Sequence, residues 1–231
     1  MKLSEIIFPS SLRCIFCGRE VGTGVSICSE CYTLLPYIRG KTCLKCGGRV
    51  SQEDYCIDCS KLDHKFVRNF ALFDYTGILR DKIVSFKDGR KYLGHTFASM
   101  LCDYYLRLGM DFDIIIPMPI HSIREKERGF NQADILVEEI ERITHKVRRD
   151  IIYKAQNTAH QTGLSREHRL SNVIGSFAVR DKTAVKDKVI LVVDDIYTTG
   201  STMSEVASTL IRAGARAVYG ITLARGKTID M

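Results

Sequence analysis

The chain has 231 residues, 45% hydrophobic and 26% charged, proportions ordinary for a folded globular protein. No window approaches the roughly 18 apolar residues that a membrane helix needs, and the opening MKLSEIIFPSSLRC has too short an apolar core for a secretory signal. A cytoplasmic protein without membrane insertion is therefore expected, and the formal charge of +7 says little about partners, because Lys and Arg are interspersed with Asp and Glu.

Eight of the nine cysteines fall before residue 60 as CxxC pairs. CIFC…CSEC spans Cys14, Cys17, Cys28 and Cys31, and CLKC…CIDC spans Cys43, Cys46, Cys56 and Cys59. Each pair can wrap one side of a tetrahedral metal, and Gly18 and Gly47 suit the tight knuckle that follows a ligand. The arithmetic gives two closed four-cysteine sites, each for one structural Zn²⁺; four thiolates leave no open catalytic position. Disulfides or redox-active pairs are the competing reading, disfavoured by a cytosolic setting and the absence of thioredoxin-like surroundings. Sequential pairing is favoured over cross-bracing. Counting eight thiolates and the four positive charges of two Zn²⁺ brings the net charge from +7 to +3. So few large apolar side chains could hardly fold without the metal's contribution. Composition breaks near residue 65, so residues 1–65 are expected to form a double zinc-ribbon domain and residues 66–231 an α/β domain.

The second part alternates strand and helix patterns. Strand is expected over Phe66 to Tyr75, helix over Leu79 to Phe86, and a longer amphipathic helix over Tyr92 to Leu108, on which Cys102 reads as a small buried hydrophobe. The strand FDIIIPMP, residues 112–119, leads through a loop into a helix over Asn131 to Ile143. A short strand near Ile151 and a polar segment from Lys154 to Ser171 follow. Then VILVV, residues 189–193, reads as a strand buried on both faces, and the chain closes with a strand over Ala217 to Ala224. Such alternation implies βαβ units and a doubly wound parallel sheet.

The stretch VILVVDDIYTTGST carries the chemistry. Asp194 and Asp195 end the buried strand, where open α/β sheets place their ligand crevice. Thr198, Thr199, Gly200, Ser201 and Thr202 then offer free amides, short hydroxyls and an adaptable backbone at the start of a helix, whose dipole favours an anion. Phosphate beside a polyhydroxylated group fits this pairing. A plain helix cap at Ser201 is the bland alternative, but it leaves the cost of two adjacent buried acids unexplained.

This stretch resembles the fingerprint of type I phosphoribosyltransferases. The resemblance implies that Asp194 and Asp195 face the ribose hydroxyls of phosphoribosyl pyrophosphate, with Thr198 to Thr202 around its 5′-phosphate and Mg²⁺ accompanying it. DIIIPMPIHSIREKERGFNQA, NTAHQTGLSREHRLSNVIGSF and, more weakly, SFKDGRKYLG resemble segments of the ComF (competence protein F) family, as does the paired zinc layout. The resemblance spans nearly the whole chain and implies a type I phosphoribosyltransferase-like doubly wound parallel sheet with a small N-terminal four-cysteine zinc-ribbon module. Arg124, Arg128 and Arg169 are the candidates for pyrophosphate oxygens, since a guanidinium fork matches them in pairs. Thr158, Gln161, Arg166 and Asn172 share the mobile basic segment that the resemblance implies. Lys87 could reach a phosphate from its helix end but reads more plainly as a surface lysine, and His121 and His160 could carry protons but read more plainly as incidental loop histidines. A role in natural DNA uptake is implied, either through pentosyl transfer to an unidentified acceptor or through non-catalytic binding. The second reading would use the same site for single-stranded DNA and the zinc module for a helicase-like partner. Stacking platforms for DNA are few: Phe130 and Tyr197 are the candidates, with core packing and a loop lid as their plainer readings.

Overall fold

The computed structural model describes residues 13–156 and 174–226. Its centre is a four-stranded, all-parallel sheet of β1 (Asn69–Asp74), β2 (Ile114–Pro117), β5 (Val189–Tyr197) and β6 (Ala217–Arg225), in the order β1-β6-β5-β2. The sheet's long central strand follows from its sequence. Leu191 and Val193 enter the core on one face, Ile190 and Val192 on the other, and all four are fully buried.

Helices α3 (Gly77–Lys87), α4 (Tyr92–Leu108) and α6 (Gln132–Thr144) cover the first face. Their apolar stripes repeat every three or four residues: Leu79, Ile83 and Phe86 on α3, and Leu93, Phe97, Leu101 and Tyr105 on α4. Cys102 lies in that stripe, buried as its position on the helix implies. Helix α8 (Ser201–Arg212) covers the second face through Met203, Val206, Ala207 and Leu210. Beside it sits an antiparallel ribbon of β3 (Ile152–Lys154) and β4 (Phe177–Val179), followed by the single turn α7 (Lys182–Val185). The doubly wound parallel sheet expected from the alternating pattern is the architecture found.

Two differences bear on function. The stretch after β2, expected as a loop, forms the short helix α5 (Ser122–Arg128), with His121 capping it by accepting the Ile123 amide at 3.3 Å. Strand β5 does not stop at Val193 but runs to Tyr197, because β6 extends to Arg225 and keeps supplying ladder partners, Asp194 opposite Thr222 and Tyr197 opposite Arg225.

The N-terminal module contributes two short helices, α1 (Ser29–Leu34) and α2 (Ile57–Lys61), each carrying the last cysteine of its site. Residues 36–38 run antiparallel along β1: Ile38 N–H donates to Leu72 O at 3.0 Å and Asp74 N–H to Pro36 O at 2.8 Å. The free edge of β1 is thereby paired. Among the described residues no helix is long and apolar enough to cross a membrane.

Candidate functional site

The eight paired cysteines form two clusters, Cys14, Cys17, Cys28 and Cys31 in one, Cys43, Cys46, Cys56 and Cys59 in the other, each with its sulfurs within 4.8 Å of one another. Cys17 and Cys28 sulfurs lie 3.7 Å apart, as do those of Cys46 and Cys56. A tetrahedron with Zn–S bonds of about 2.3 Å has edges of about 3.8 Å, so the donor sets fit the ion. The protein thus carries two four-cysteine sites for structural zinc, paired sequentially.

At the carboxyl end of β5 the chain leaves the sheet at Tyr197 and turns through Thr198 and Thr199 to Gly200, the N-cap of α8. Gly200 has φ 78°, and a Cβ there would run into the Tyr197 hydroxyl, so both backbone and space call for glycine. Gly200 has no side chain with which to cap this helix; Ser201, expected as a possible cap, is its first residue, donates its amide to Thr199 Oγ1 at 3.4 Å and shares a 2.7 Å hydrogen bond between its Oγ and the same oxygen. Beyond Ser201 the first turn presents uncapped amides to a small cleft of ≈40 Å³, lined by Asp194, Ile196, the Thr198 to Met203 loop and Thr222.

Alternation along β5 sends the two acids to opposite faces. Asp194 points to the α8 side and lines the cleft; the Asp195 amide donates to its Oδ1 at 2.8 Å. Burial and the neighbouring charge of Asp195 push the Asp194 carboxyl up to about 7, although Lys87 pulls the other way. Asp195 is buried on the α3 side, its Oδ2 2.9 Å from Lys87 Nζ. Lys87 is thus no free surface lysine. It sits in the last turn of α3, where the helix dipole also favours a cation.

A separate group of cations gathers near the end of β2. Arg124 and Arg128 lie on α5, and Arg128 Nη1 donates to Gln132 Oε1 at 3.0 Å. Burial and the Arg128 charge lower the Arg124 pKa, and burial with the Arg124 charge pushes the Lys154 ammonium down to about 8. Clustered cations shifted in this way favour an anion that would join them. Beside them opens a groove of ≈450 Å³ between the β2 end and the β3–β4 ribbon, lined among others by Pro119, Ser122, Asn131, Lys154 and Arg180. Arg169, with Thr158, His160, Gln161, Arg166 and Asn172, lies outside the described residues.

The aromatic candidates are both interior. Phe130 is buried against Phe86, their ring centroids 5.6 Å apart, as core packing requires. Tyr197 is not a lid: it is 4% exposed, with its hydroxyl 3.4 Å from His64 Nε2. His64 comes from the segment following the second zinc site, stacks on Phe66 at 5.0 Å and lies under Gly200. The next residue donates its amide, Lys65 N–H, to Ser204 Oγ in the first turn of α8 at 3.0 Å. Asn69 Nδ2 donates to Cys46 O and to Thr222 Oγ1, each at 3.2 Å, so a buried chain links the second zinc knuckle to the cleft floor. Arg225 extends past Gly48 to Cys56 Sγ at 3.9 Å. None of these contacts is legible from spacing, because each joins residues far apart in the chain.

Comparison with known proteins places these features in a lineage. The double zinc ribbon domain family matches residues 3–60 and the phosphoribosyl transferase domain family residues 126–228. Competence protein ComFC of Bacillus subtilis (strain 168) is 29% identical, over 93% of this chain and 95% of its own length. Competence protein F of Haemophilus influenzae is 27% identical over 93% and 97%, and the DNA utilization protein YhgH of Salmonella typhi 30% identical over 92% and 89%. With both modules in the same order and relatives matching from end to end, the chain belongs to the competence protein F (ComF) family.

Proposed function

We propose that the protein binds phosphoribosyl pyrophosphate with Mg²⁺ at the carboxyl end of β5, with residues 1–65 as its zinc module and residues 66–231 as the phosphoribosyl-binding unit. The observation that carries this reading is the shared cleft: a half-buried carboxylate, Asp194, lines the same small cleft as the first turn of α8. Carboxylates accept hydrogen bonds from ribose hydroxyls, and amides at a helix start hold a phosphate. In this reading Asp194 and Asp195 take the 2′- and 3′-hydroxyls, and Thr198, Thr199, Gly200, Ser201 and Thr202 take the 5′-phosphate. The pyrophosphate goes to Arg124, Arg128 and Lys154, joined by Arg169. Mg²⁺ supplies charge neutralisation on the pyrophosphate. If transfer follows, catalysis rests on positioning and charge stabilisation around C1, with the acceptor unidentified. The names of the relatives support a role in DNA uptake or utilisation.

Calorimetric titration of phosphoribosyl pyrophosphate and Mg²⁺ into zinc-loaded protein tests the reading. Saturable binding, lost in Asp194→Asn/Asp195→Asn, is expected; no binding to folded wild type sinks it.

A second reading, non-catalytic binding of single-stranded DNA, draws on one feature of the β3–β4 ribbon. Tyr153 is 39% exposed, and Arg180 lies 4.6 Å from its ring centroid, beside Lys154. A solvent-facing ring with cations around it is the arrangement stacking requires, which neither Phe130 nor Tyr197 offers. DNA affinity that falls steeply with salt and drops in Tyr153→Ala would favour this reading. The helicase-like partner would then meet the zinc module at the exposed Tyr32 and Leu34 of α1.

A further inference from the structure

The stretch SFKDGRKYLG is a sequence segment that neither the sheet nor the zinc sites account for, and its packing is specific. Phe86 is fully buried against Phe97 and Phe130, which fixes the rotation of the last turn of α3. Lys87, one residue on, is thereby aimed back over the end of β5. Lys91 Nζ donates to Gly129 O at 3.2 Å and lies 4.9 Å from the Phe130 ring centroid. The turn between α3 and α4 is thus tied to the segment that joins the α5 cations to α6. Lys87 therefore stands on the α3 side of Asp195, away from the α8 cleft.

An ion pair this enclosed is weak evidence of a stabilising device, since buried pairs are often no better than apolar ones of the same size. It makes sense where the carboxylate and the ammonium are both wanted. An ammonium has three donors, and Asp195 Oδ2 at 2.9 Å takes one. We propose that Lys87 is a ligand-positioning residue: it holds Asp195 in place in the empty site and directs its remaining donors to the pyrophosphoryl group once the ribose hydroxyls reach Asp195. This inference rests on the phosphoribosyl pyrophosphate reading and adds to it a residue that contacts the leaving group rather than the sugar. It also gives the KDGRK turn a purpose. Gripped at Phe86 and Lys91, the turn sets one ammonium at a fixed point beside Asp195.

The test compares two ligands that differ only in the group Lys87 is assigned to. Affinities for phosphoribosyl pyrophosphate with Mg²⁺ and for ribose 5-phosphate are measured by calorimetry on zinc-loaded wild type and Lys87→Met. Loss of one charge-assisted contact should weaken phosphoribosyl pyrophosphate by about 10- to 100-fold and leave ribose 5-phosphate within about threefold. Because Lys87→Met leaves a buried carboxylate without its cation, the pair is also measured in the Asp195→Asn background, where no such charge remains. There the methionine should still cost phosphoribosyl pyrophosphate about tenfold, and Lys87→Arg should recover part of it. Equal losses for both ligands, or no further loss in the Asp195→Asn background, would show that Lys87 acts only through Asp195 and overturn the proposal alone. A wild type that binds neither ligand would overturn the site reading together with it.

Discussion

Burial beside Asp195 leaves the Asp194 carboxyl titrating near pH 7 rather than at its ordinary 3.8, and this has two opposite consequences. The folded protein holds a proton that the unfolded chain gives up, so this group's contribution to stability falls as pH rises from about 4 to about 7. Ligand hydroxyls need the ionised acceptor, so binding should gain over the upper part of that range. Between pH 6 and pH 8 the ionised fraction of a group titrating at 7 rises about tenfold, and affinity for phosphoribosyl pyrophosphate should rise by about that factor. Calorimetry at three pH values checks it: Asp194→Asn should flatten the profile, and an equal slope in that variant would assign the dependence to the ligand's own phosphates. Asp194, Asp195 and the Thr-Thr-Gly loop were legible as one candidate site because the motif is contiguous and its residue types suit a sugar hydroxyl and a phosphate. Lys87 was legible only as a lysine that could reach a phosphate, not as the partner of Asp195, and His64 was not legible at all. Lys87 stands 108 residues before Asp195 in the chain, and a lysine in a polar stretch carries no mark of where its ammonium goes.

Elements were legible where periodicity ran long enough to average out local noise. The 17 residues of α4 stand where their apolar stripe placed them, and α6 and β6 follow their patterns to within a residue. The short pieces escaped. Helix α5 has no buried residue to generate a stripe, and β4 is three residues that, among the described residues, pair with β3 alone. Strand β5 outran its apolar pattern because ladder partners, not hydrophobicity, decide where a strand ends. Packing of these elements also explains a glycine that patterning alone could not. A Cβ on Gly94 would lie 2.6 Å from Ile135 Cγ2 and 2.8 Å from Phe86 Cε2, so glycine lets α4 approach α6 and the end of α3. Gly94→Val should therefore cost about 1–3 kcal/mol, read as a lower midpoint in urea, despite valine's added apolar surface. Unchanged stability would mean that the α4–α6 crossing can widen freely.

At the scale of the whole molecule the two zinc sites are unequal, although their sequences are near repeats. The first site lies in a small cluster, with Cys14, Cys28 and Cys31 packed by Phe16, Val21 and Ile27; Phe16 and Ile27 also rest against the core on the α3–α4–α6 face of the sheet, the face away from α8. The second is continuous with the core under α8, where Cys43, Cys46 and Cys59 pack with Phe66, Tyr197 and Met203. From that second site run three ties to the candidate ligand cleft: Asn69 to Thr222, His64 to Tyr197 under Gly200, and Lys65 to Ser204. A knuckle that loses its metal loses the folding energy the metal supplies, and its attached chain loosens with it. Removing the second zinc should therefore release the Gly200 turn, whereas removing the first should leave that turn in place. Cys14→Ser/Cys31→Ser is expected to hold one zinc per chain and to bind phosphoribosyl pyrophosphate within about threefold of wild type. Cys43→Ser/Cys59→Ser, also holding one zinc, should lose at least about tenfold in affinity, as should His64→Ala with both zincs retained, since each frees a loop whose ordering the ligand must then supply. Hydrogen exchange adds a readout independent of the ligand: amides in the first turn of α8 should exchange faster in the second pair of variants and not in the first. Equal protection of that turn in all three proteins would make the second ribbon a neighbour of the site rather than part of it.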